Sequence, residues 1–219
     1  SGREGEVRRV YHRRLSEFAR VPKRPMSYWT PAELRSLFEG GDYVDADVAD
    51  ADGASISDVK TGLQTGDNPR FVRDHWEVSF EDPFVPFAKG GSEAWILPRV
   101  EAAVWWGDDG AEMRRIDSSR PQNADYYFEE GLTWTYVKET GRRFGYFPPG
   151  GVFDQKGPMV FPEDVSPWTL QTVLNSELYH GLFLALTPDR EWNPGDVGRI
   201  PFDPSLGDGE RLESIAKSQ

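Results

Sequence analysis

The chain has 219 residues, 37% of them hydrophobic, and its 8 Trp, 8 Tyr and 13 Phe supply enough large apolar side chains for a folded core. It has no cysteine, which excludes disulfides, thiolate metal sites and thiol catalysis. The formal net charge of −12 argues against a general nucleic-acid binder, because nonspecific affinity comes from neutralising phosphates.

The charge is uneven along the chain. Residues 1–25 carry eight Lys or Arg against three Glu, residues 42–58 hold six Asp, and residues 60–73 return to a net charge of +2. An acidic protein can bind DNA through one local basic face, more easily if another part of a larger molecule supplies most phosphate contacts. No apolar run reaches transmembrane length and the N-terminus lacks a signal-peptide core, so we expect a cytoplasmic location and no membrane association.

The first predicted elements are helical. Residues 5–20 place apolar side chains at roughly helical spacing, which indicates a short helix or the tail of a preceding domain. Thr30 as N-cap and Pro31 as first helical residue predict a helix over residues 32–39, closed by Gly40 and Gly41.

Short strands and turns follow. The predicted strands are residues 76–80, 100–105, 132–137, 144–147, 151–153 and 159–161, separated by Gly, Pro and Asp turn signals such as residues 107–110. Ser166 and Pro167 then begin a helix whose apolar face extends to residue 186, and Thr187-Pro188 ends it. Residues 188–202 are predicted to be extended.

These elements predict an α+β fold. We expect an irregular, mostly antiparallel β domain with long loops, packed by a short N-terminal helix and a longer C-terminal helix. Long loops on a β scaffold are where function tends to lie.

One stretch, residues 61–71, is atypical of a core strand or helix. It combines two glycines, which allow positive φ and close approach of another molecule to the backbone, with the turn sequence Asp67-Asn68-Pro69. The side chains of Lys60, Gln64 and Arg70 are long donors of the kind that bind phosphates and base edges. The stretch is either a plain polar hairpin loop or a DNA-reading loop.

Other chemistry has little sequence support. The three histidines have no paired spacing, and no glycine-rich nucleotide-binding motif or nucleophile elbow occurs. Asp154-Gln155-Lys156 has the acid-x-Lys form of metal-dependent nucleases, which Asp125 or Glu129 could complete. Aromatic clusters at residues 105–106, 126–128 and 134–136 could stack unpaired bases, but alternating aromatics on strands are typical of a core.

Several blocks match a known family in order. Two are specific: residues 59–71 (Val-Lys-Thr-Gly-Leu-Gln-Thr-Gly-Asp-Asn-Pro-Arg-Phe) and residues 122–128 (Gln-Asn-Ala-Asp-Tyr-Tyr-Phe). Supporting blocks lie at residues 25–29, 86–91, 104–110, 130–135, 144–150, 153–154 and 170–178. Over roughly residues 20–203, the chain resembles the target-recognition region of adenine-specific DNA methyltransferases of the PglX type. These enzymes belong to the bacterial phage-defence systems called BREX, and related enzymes occur in restriction–modification.

The resemblance implies a recognition module without catalysis or a cofactor of its own. The family's Asn-Pro-Pro-aromatic motif, which holds the flipped adenine, and its glycine-rich turn for S-adenosylmethionine do not occur in this sequence. A parent site-specific adenine methyltransferase would bind S-adenosylmethionine. Residues 1–25 would be a basic junction from a preceding domain, residues 26–203 the DNA target-recognition domain, and residues 204–219 a polar tail or the start of a helical spacer.

The expected partners are double-stranded DNA, a methyltransferase catalytic domain in the same or a partner chain, and other defence-system proteins. Reading a DNA site requires loop-tip side chains that enter a groove. The predicted DNA-binding residues are Lys60, Thr61, Gln64, Thr65, Asn68, Arg70, Arg73, Lys89, Ser92, Arg142, Arg143, Gln155 and Lys156.

Two alternatives stay open. The negative net charge of the chain suits a protein-interaction module of the same fold, bound by another defence component or by a phage inhibitor. The second alternative is a metal-dependent nuclease that uses Asp154 and Lys156.

Overall fold

The structure, a computed structural model, describes residues 10–50, 52–79, 83–90, 97–136, 144–163, 165–189 and 191–203. Its α-helices are α1 (Leu15–Phe18), α2 (Ala32–Ser36), α3 (Ala46–Ala49), α4 (Asn68–Phe71), α5 (Gly107–Arg114), α6 (Pro167–Leu174), α7 (Glu177–Leu186) and α8 (Pro194–Gly198). Its strands are β1 (Asp42–Tyr43), β2 (Ser57–Lys60), β3 (Leu63–Gln64), β4 (Val72–Asp74), β5 (Phe84–Ala88), β6 (Ala102–Trp105), β7 (Arg120–Pro121), β8 (Gly131–Thr133), β9 (Gly145–Phe147), β10 (Val152–Phe153), β11 (Met159–Pro162) and β12 (Pro201–Phe202).

The strands form two four-stranded sheets and two small ribbons. The sheets have the orders β10–β5–β6–β4 and β2–β11–β8–β9, and the ribbons pair β1 with β12 and β3 with β7. Within these sheets and ribbons, all neighbouring strands are antiparallel except β5 and β10. Helices combined with mainly antiparallel sheets confirm the predicted α+β class.

The buried side chains form two core clusters, and the sheet β2–β11–β8–β9 contributes to both. Leu132 and Trp134 pack with residues of α6 and α7 in one cluster, while Leu63, Phe87 and Phe153 belong to the other. The aromatic clusters of the sequence are largely core, as expected, because Trp106, Tyr127 and Trp134 are all buried. The main departures are the exposed ring of Phe128 and the half-buried rings of Trp105, Tyr126 and Tyr136.

The predicted long C-terminal helix is two helices, and the prediction of one continuous helix is wrong. The Asn175 side chain donates to the Phe144 carbonyl at 2.8 Å and accepts from the Phe144 amide at 3.1 Å. Asn175 therefore satisfies the backbone groups of Phe144, the residue directly before β9. Ser176 then begins the second helix as the N-cap of α7, accepting from the Tyr179 amide at 3.4 Å. The predicted stop at Thr187 is confirmed, since Thr187 is the C-cap of α7.

The N-terminal helices are shorter than predicted. Within the described part of residues 5–20, only α1 is helical, and the apolar side chains of Val10 before it and Leu15 within it are 75% and 80% exposed. A helix of this length needs tertiary packing, and these side chains have little. Helix α2 ends at Ser36 rather than residue 39, with Pro31 and not Thr30 as its N-cap.

Two further predictions are corrected. Residues His75–Glu77 form a 3₁₀ turn instead of a strand, because the Glu77 carboxylate accepts from the Asp74 amide at 2.9 Å. The predicted extended segment 188–202 contains α8, which Asn193 caps by accepting from the Asp196 amide at 3.2 Å.

The turn at residues 107–110 is confirmed, although it lies within the bounds of α5. Asp108, Asp109 and Gly110 have left-handed φ angles of 50°, 54° and 70°. Trp106 anchors the turn by donating its indole N–H to the Asp109 carboxylate at 3.1 Å.

The described part of the N-terminal segment packs onto the rest of the fold. Val21 is buried in the cluster that contains Trp134, and Arg35 Nη2 lies 3.0 Å from Glu17 Oε2. Lys23 forms an ion pair with the buried Asp196. The predicted boundaries at residues 25 and 203 stay predictions. Among the described helices, none has the length and apolar character needed to cross a membrane.

Candidate nucleic-acid interface

Residues 61–71 form a folded connection, not a simple hairpin turn. The chain leaves β2 at Lys60, pairs briefly as β3, and then forms the single turn of α4. Asp67 is the N-cap of α4, since its carboxylate accepts from the Arg70 amide at 3.2 Å, and Pro69 occupies the first turn. The Asp-Asn-Pro sequence therefore starts a helix.

The glycines of this stretch permit close contact with the chain itself. A Cβ built on Gly62 would overlap the Phe153 carbonyl oxygen and lie 2.6 Å from its carbonyl carbon. Gly66 has a φ of +76°, and a Cβ there would lie 2.7 Å from the Ser119 amide nitrogen. The expected approach of another molecule to these glycines is thus replaced by intramolecular packing.

The two specific sequence blocks contact each other. Asn123 donates its side-chain amide to the Thr61 carbonyl at 2.9 Å, and Gln122 reaches the Gly62 carbonyl at 3.5 Å. Tyr126 of the second block also donates its hydroxyl, at 2.6 Å, to the carboxylate of Asp58, the residue directly before the first block. The second block therefore fixes the conformation of the first.

Three chain segments meet at an open groove of about 510 Å³ beside the ribbon of β3 and β7. The Asp154 amide donates to the Ala88 carbonyl at 2.8 Å, and the Gln155 amide donates to the Leu63 carbonyl at 3.0 Å. Backbone bonds thus hold the segments together. The lining residues are Leu63, Gln64, Thr65, Gly66, Asp67, Asn68, Pro69, Lys89, Asp154, Gln155 and Lys156.

The groove unites six of the predicted DNA-binding residues. They are Gln64, Thr65, Asn68, Lys89, Gln155 and Lys156. Sequence order does not suggest this proximity, because about 90 residues separate Gln64 from Lys156. Their role in DNA binding stays a prediction.

The groove side chains differ in how far they are already engaged. Thr65 donates to the Asn68 side chain, and Lys89 Nζ lies 3.8 Å from Asp154 Oδ2. By contrast, the side chains of Gln64, Gln155 and Lys156 form no hydrogen bond or ion pair with another described residue. These three are available to a ligand without breaking an existing contact.

Lys60 lies outside the groove in a partly buried ion pair. Its ammonium group lies 2.6 Å from Asp58 Oδ1 and 5.0 Å from the Tyr126 ring centroid. Burial alone would raise the pKa of Asp58, but hydrogen bonds from Lys60 and Tyr126 outweigh it and hold that pKa below its ordinary value. Burial likewise opposes the charge on Lys60, yet the hydrogen bond to Asp58 raises the Lys60 pKa overall.

The other predicted residues are also outside the groove lining. Arg70 pairs with Glu112 and covers the Phe71 ring, while Arg73 donates to the Pro69 carbonyl at 2.8 Å. The Thr61 hydroxyl interacts with Tyr136. Ser92, Arg142 and Arg143 lie outside the described residues.

Arg120 was missed by the sequence reasoning. It lies on β7 directly opposite Gln64 of β3, and its side chain is exposed. Its neighbours Gln122 and Asn123 belong to a recognised block, but nothing in the sequence shows that residues 120–121 pair with residues 63–64.

The nuclease alternative gains nothing from the geometry of Asp154. Its carboxylate accepts from the Lys156 backbone amide at 2.7 Å, so the backbone, rather than the lysine side chain, approaches the acid. Among the residues that the structure describes, no three His, Cys, Asp or Glu side chains come together as metal ligands.

Comparison with known proteins identifies two relatives, and no protein-family model matches the chain. The adenine-specific methyltransferase BrxX of Escherichia coli O9:H4 (strain HS) is 29% identical over 216 aligned residues, covering 92% of this chain and 16% of that protein. The adenine-specific methyltransferase PglX of Lacticaseibacillus casei (strain Zhang) is 23% identical over 215 residues, covering 88% of this chain and 17% of that protein. The chain thus spans about a sixth of the length of these relatives. These similarities confirm that the chain is related to adenine-specific methyltransferases of the PglX type.

Proposed function

We propose that this chain is the sequence-specific recognition module for double-stranded DNA of an adenine-specific methyltransferase that acts in phage defence or restriction–modification. The module reads the site while another part of the parent enzyme binds S-adenosylmethionine and transfers the methyl group. This division suits the chemistry, because a methyltransferase must extrude its target base and needs other contacts to hold the duplex.

One observation carries the proposal: uncommitted side chains from separate segments converge on one groove. Gln64 comes from the stretch after β2, while Gln155 and Lys156 follow β10. An amide side chain presents a donor and an acceptor side by side, which matches the major-groove edge of adenine, and a lysine binds phosphate or guanine. Backbone hydrogen bonds across the groove hold in place the chain segments that carry these side chains.

The test is DNA binding measured by fluorescence anisotropy with Gln64→Ala, Gln155→Ala and Lys156→Ala. Arg115→Ala is the control, since Arg115 is exposed, does not line the groove, and has no ion-pair partner among the described residues. Each groove variant should weaken binding to a preferred duplex by about 1–3 kcal/mol per lost base contact, whereas the control should change it little. Equal affinities for all variants and the wild type would contradict the groove as the DNA site.

A second candidate function, protein contact, is favoured by exposed apolar side chains near the N-terminus. Val10, Leu15 and Met26 are 75%, 80% and 71% exposed, and Trp29 is 40% exposed. Exposed apolar side chains mark a protein interface where they lie together in one contiguous patch. The partner we propose is the remainder of the parent methyltransferase, since the relatives are about six times longer than the matched region.

The second candidate is tested by mixing the chain with the separately produced remainder of its parent. Leu15→Glu and Met26→Glu should abolish association measured by calorimetry while leaving DNA affinity unchanged. Persistent association of both variants would exclude this surface. Failure of the wild-type chain to bind any duplex at low salt would leave protein contact as the better function.

A further inference from the structure

The small ribbon of β3 and β7 displays two side chains next to each other. Gln64 and Arg120 are directly paired across the ribbon, and so are Leu63 and Pro121. Directly opposed residues project from the same face of an antiparallel pair, with Cβ atoms about 4.5–5.5 Å apart. Leu63 is fully buried and Gln64 and Arg120 are exposed, so the polar pair forms the outward face.

The Arg120 guanidinium forms hydrogen bonds through one of its three nitrogens, and the other two are available to a ligand. Its Nη1 donates to the Asp117 carbonyl and, at 2.7 Å, to the Ser119 carbonyl. The edge formed by Nε and Nη2 has no partner among the described residues. Two parallel N–H groups on one edge are the fork that binds a pair of acceptors bidentately.

The ribbon is braced against movement. Ser119 donates its hydroxyl to the Gln64 carbonyl at 3.2 Å, and Ser118 donates to the Gly66 carbonyl at 3.3 Å. Leu63 also forms a bridge with Asp154 on its other side. The Gln64 and Arg120 side chains therefore project from a scaffold that can hold them in a fixed relation.

Resting on the proposed function, we propose that this ribbon enters the DNA major groove, where Gln64 binds an adenine and Arg120 binds a guanine of the adjacent base pair. A two-stranded ribbon fits the major groove, glutamine pairs with adenine N6 and N7, and the arginine fork pairs with guanine O6 and N7. The cross-strand spacing of about 5 Å suits neighbouring base pairs, which rise about 3.4 Å apart.

The experiment selects bound duplexes from a randomised library with the 219-residue chain and sequences them. Wild type is compared with Gln64→Ala, Arg120→Ala, Arg120→Lys and the control Arg115→Ala. Arg120→Lys keeps the charge but loses the fork, and thermal melting of each variant separates a lost contact from a disturbed turn.

Wild type and Arg115→Ala should select the same motif. Both Arg120 variants should lose the preference for guanine at one position, with about 5- to 150-fold weaker binding to the selected site and nearly unchanged binding to duplexes that lack that guanine. Gln64→Ala should lose the preference for adenine at the adjacent position.

Two results would overturn the proposal in distinguishable ways. If wild type selects a motif and a stably folded Arg120→Lys selects the same motif, the ribbon assignment is wrong while DNA recognition stands. If wild type selects no motif even at low salt, where few phosphate contacts are needed to retain DNA, both the ribbon assignment and the recognition function fail.

Discussion

Replacement of Gly62 by alanine should destabilise the fold rather than impair a DNA contact. The added Cβ would overlap the Phe153 carbonyl oxygen and lie 2.5 Å from the Phe153 ring atom Cδ2. Because the main obstacle is backbone, a side-chain rotation cannot relieve the overlap.

The magnitude follows from what must move. Shifting residue 62 away from Phe153 stretches the bond from the Gln155 amide to the Leu63 carbonyl and the bond from Asn123 to the Thr61 carbonyl. Overpacking costs about 1–3 kcal/mol, and each weakened hydrogen bond adds up to about 1 kcal/mol. We therefore expect the free energy of unfolding to fall by about 2–4 kcal/mol, a large part of the stability of a typical domain.

Urea denaturation followed by tryptophan fluorescence measures this change. Gly181→Ala is the matched control, because Gly181 lies inside helix α7. A Cβ at Gly181 would meet only side-chain atoms of Leu34, the nearest at 3.3 Å. Alanine gains up to about 1 kcal/mol over glycine within a helix, so the control should be neutral or stabilising. An unfolding free energy of Gly62→Ala within about 0.5 kcal/mol of wild type, together with lost DNA affinity, would refute the packing argument.

Three more predictions concern other parts of the molecule. Asn175→Ala should lower the free energy of unfolding by about 1–3 kcal/mol, because the Phe144 amide loses the Asn175 side chain while the Phe144 carbonyl still accepts from the Gln171 side chain. A loss below about 0.5 kcal/mol by urea titration would contradict the account of the helix break. Tyr126→Phe removes the hydroxyl that lowers the pKa of Asp58 and should cost about 1 kcal/mol at pH 7. A carboxyl with a depressed pKa stabilises the fold above its unfolded pKa of about 4 and loses that contribution as the pH falls through its folded pKa. The difference between wild type and variant should therefore begin to shrink at about pH 4 and vanish below the lowered, folded pKa of Asp58. A gap that widens on acidification would exclude this role. Lys156→Ala should reduce the salt slope of DNA binding by about 1 if the lysine binds phosphate, and an unchanged slope with altered base preference would assign it to a base instead.

Local sequence signals predicted part of the β region, while strands such as β2, β4 and β5 were not predicted. Gly and Pro clusters mark turns, and short apolar runs between them coincide with β6, β9, β10 and β11, because both signals act within a few residues. The prediction failed where long-range contacts decide. Helix α6 ends at Asn175, whose side chain bonds to the backbone of Phe144, 31 residues away. The helical periodicity of the sequence carries no information about so distant a bond.

The candidate site shows the same division between local and distant information. Residue chemistry and the resemblance indicated Gln64, Gln155 and Lys156 separately, and the structure brings them to one groove. Sequence could not reveal that Arg70 pairs with Glu112, 42 residues later, or that Arg120 faces Gln64. Both facts depend on tertiary pairing, and they change which cationic side chains are available to bind DNA.

The pairing of cations with acidic residues around the groove bears on how an acidic module could act on DNA. Near the groove, the positive charges of Lys60 and Arg70 face Asp58 and Glu112, and Lys89 lies 3.8 Å from Asp154. Among the described residues around the groove, few cations are left to neutralise phosphates, and nonspecific affinity grows with each phosphate neutralised. Base contacts require fixed donors and acceptors but little net charge, and the braced ribbon and groove provide such groups. A chain of net charge −12 is therefore better suited to choosing among DNA sequences than to holding DNA, and the proposed parent enzyme would have to contribute most of the phosphate contacts.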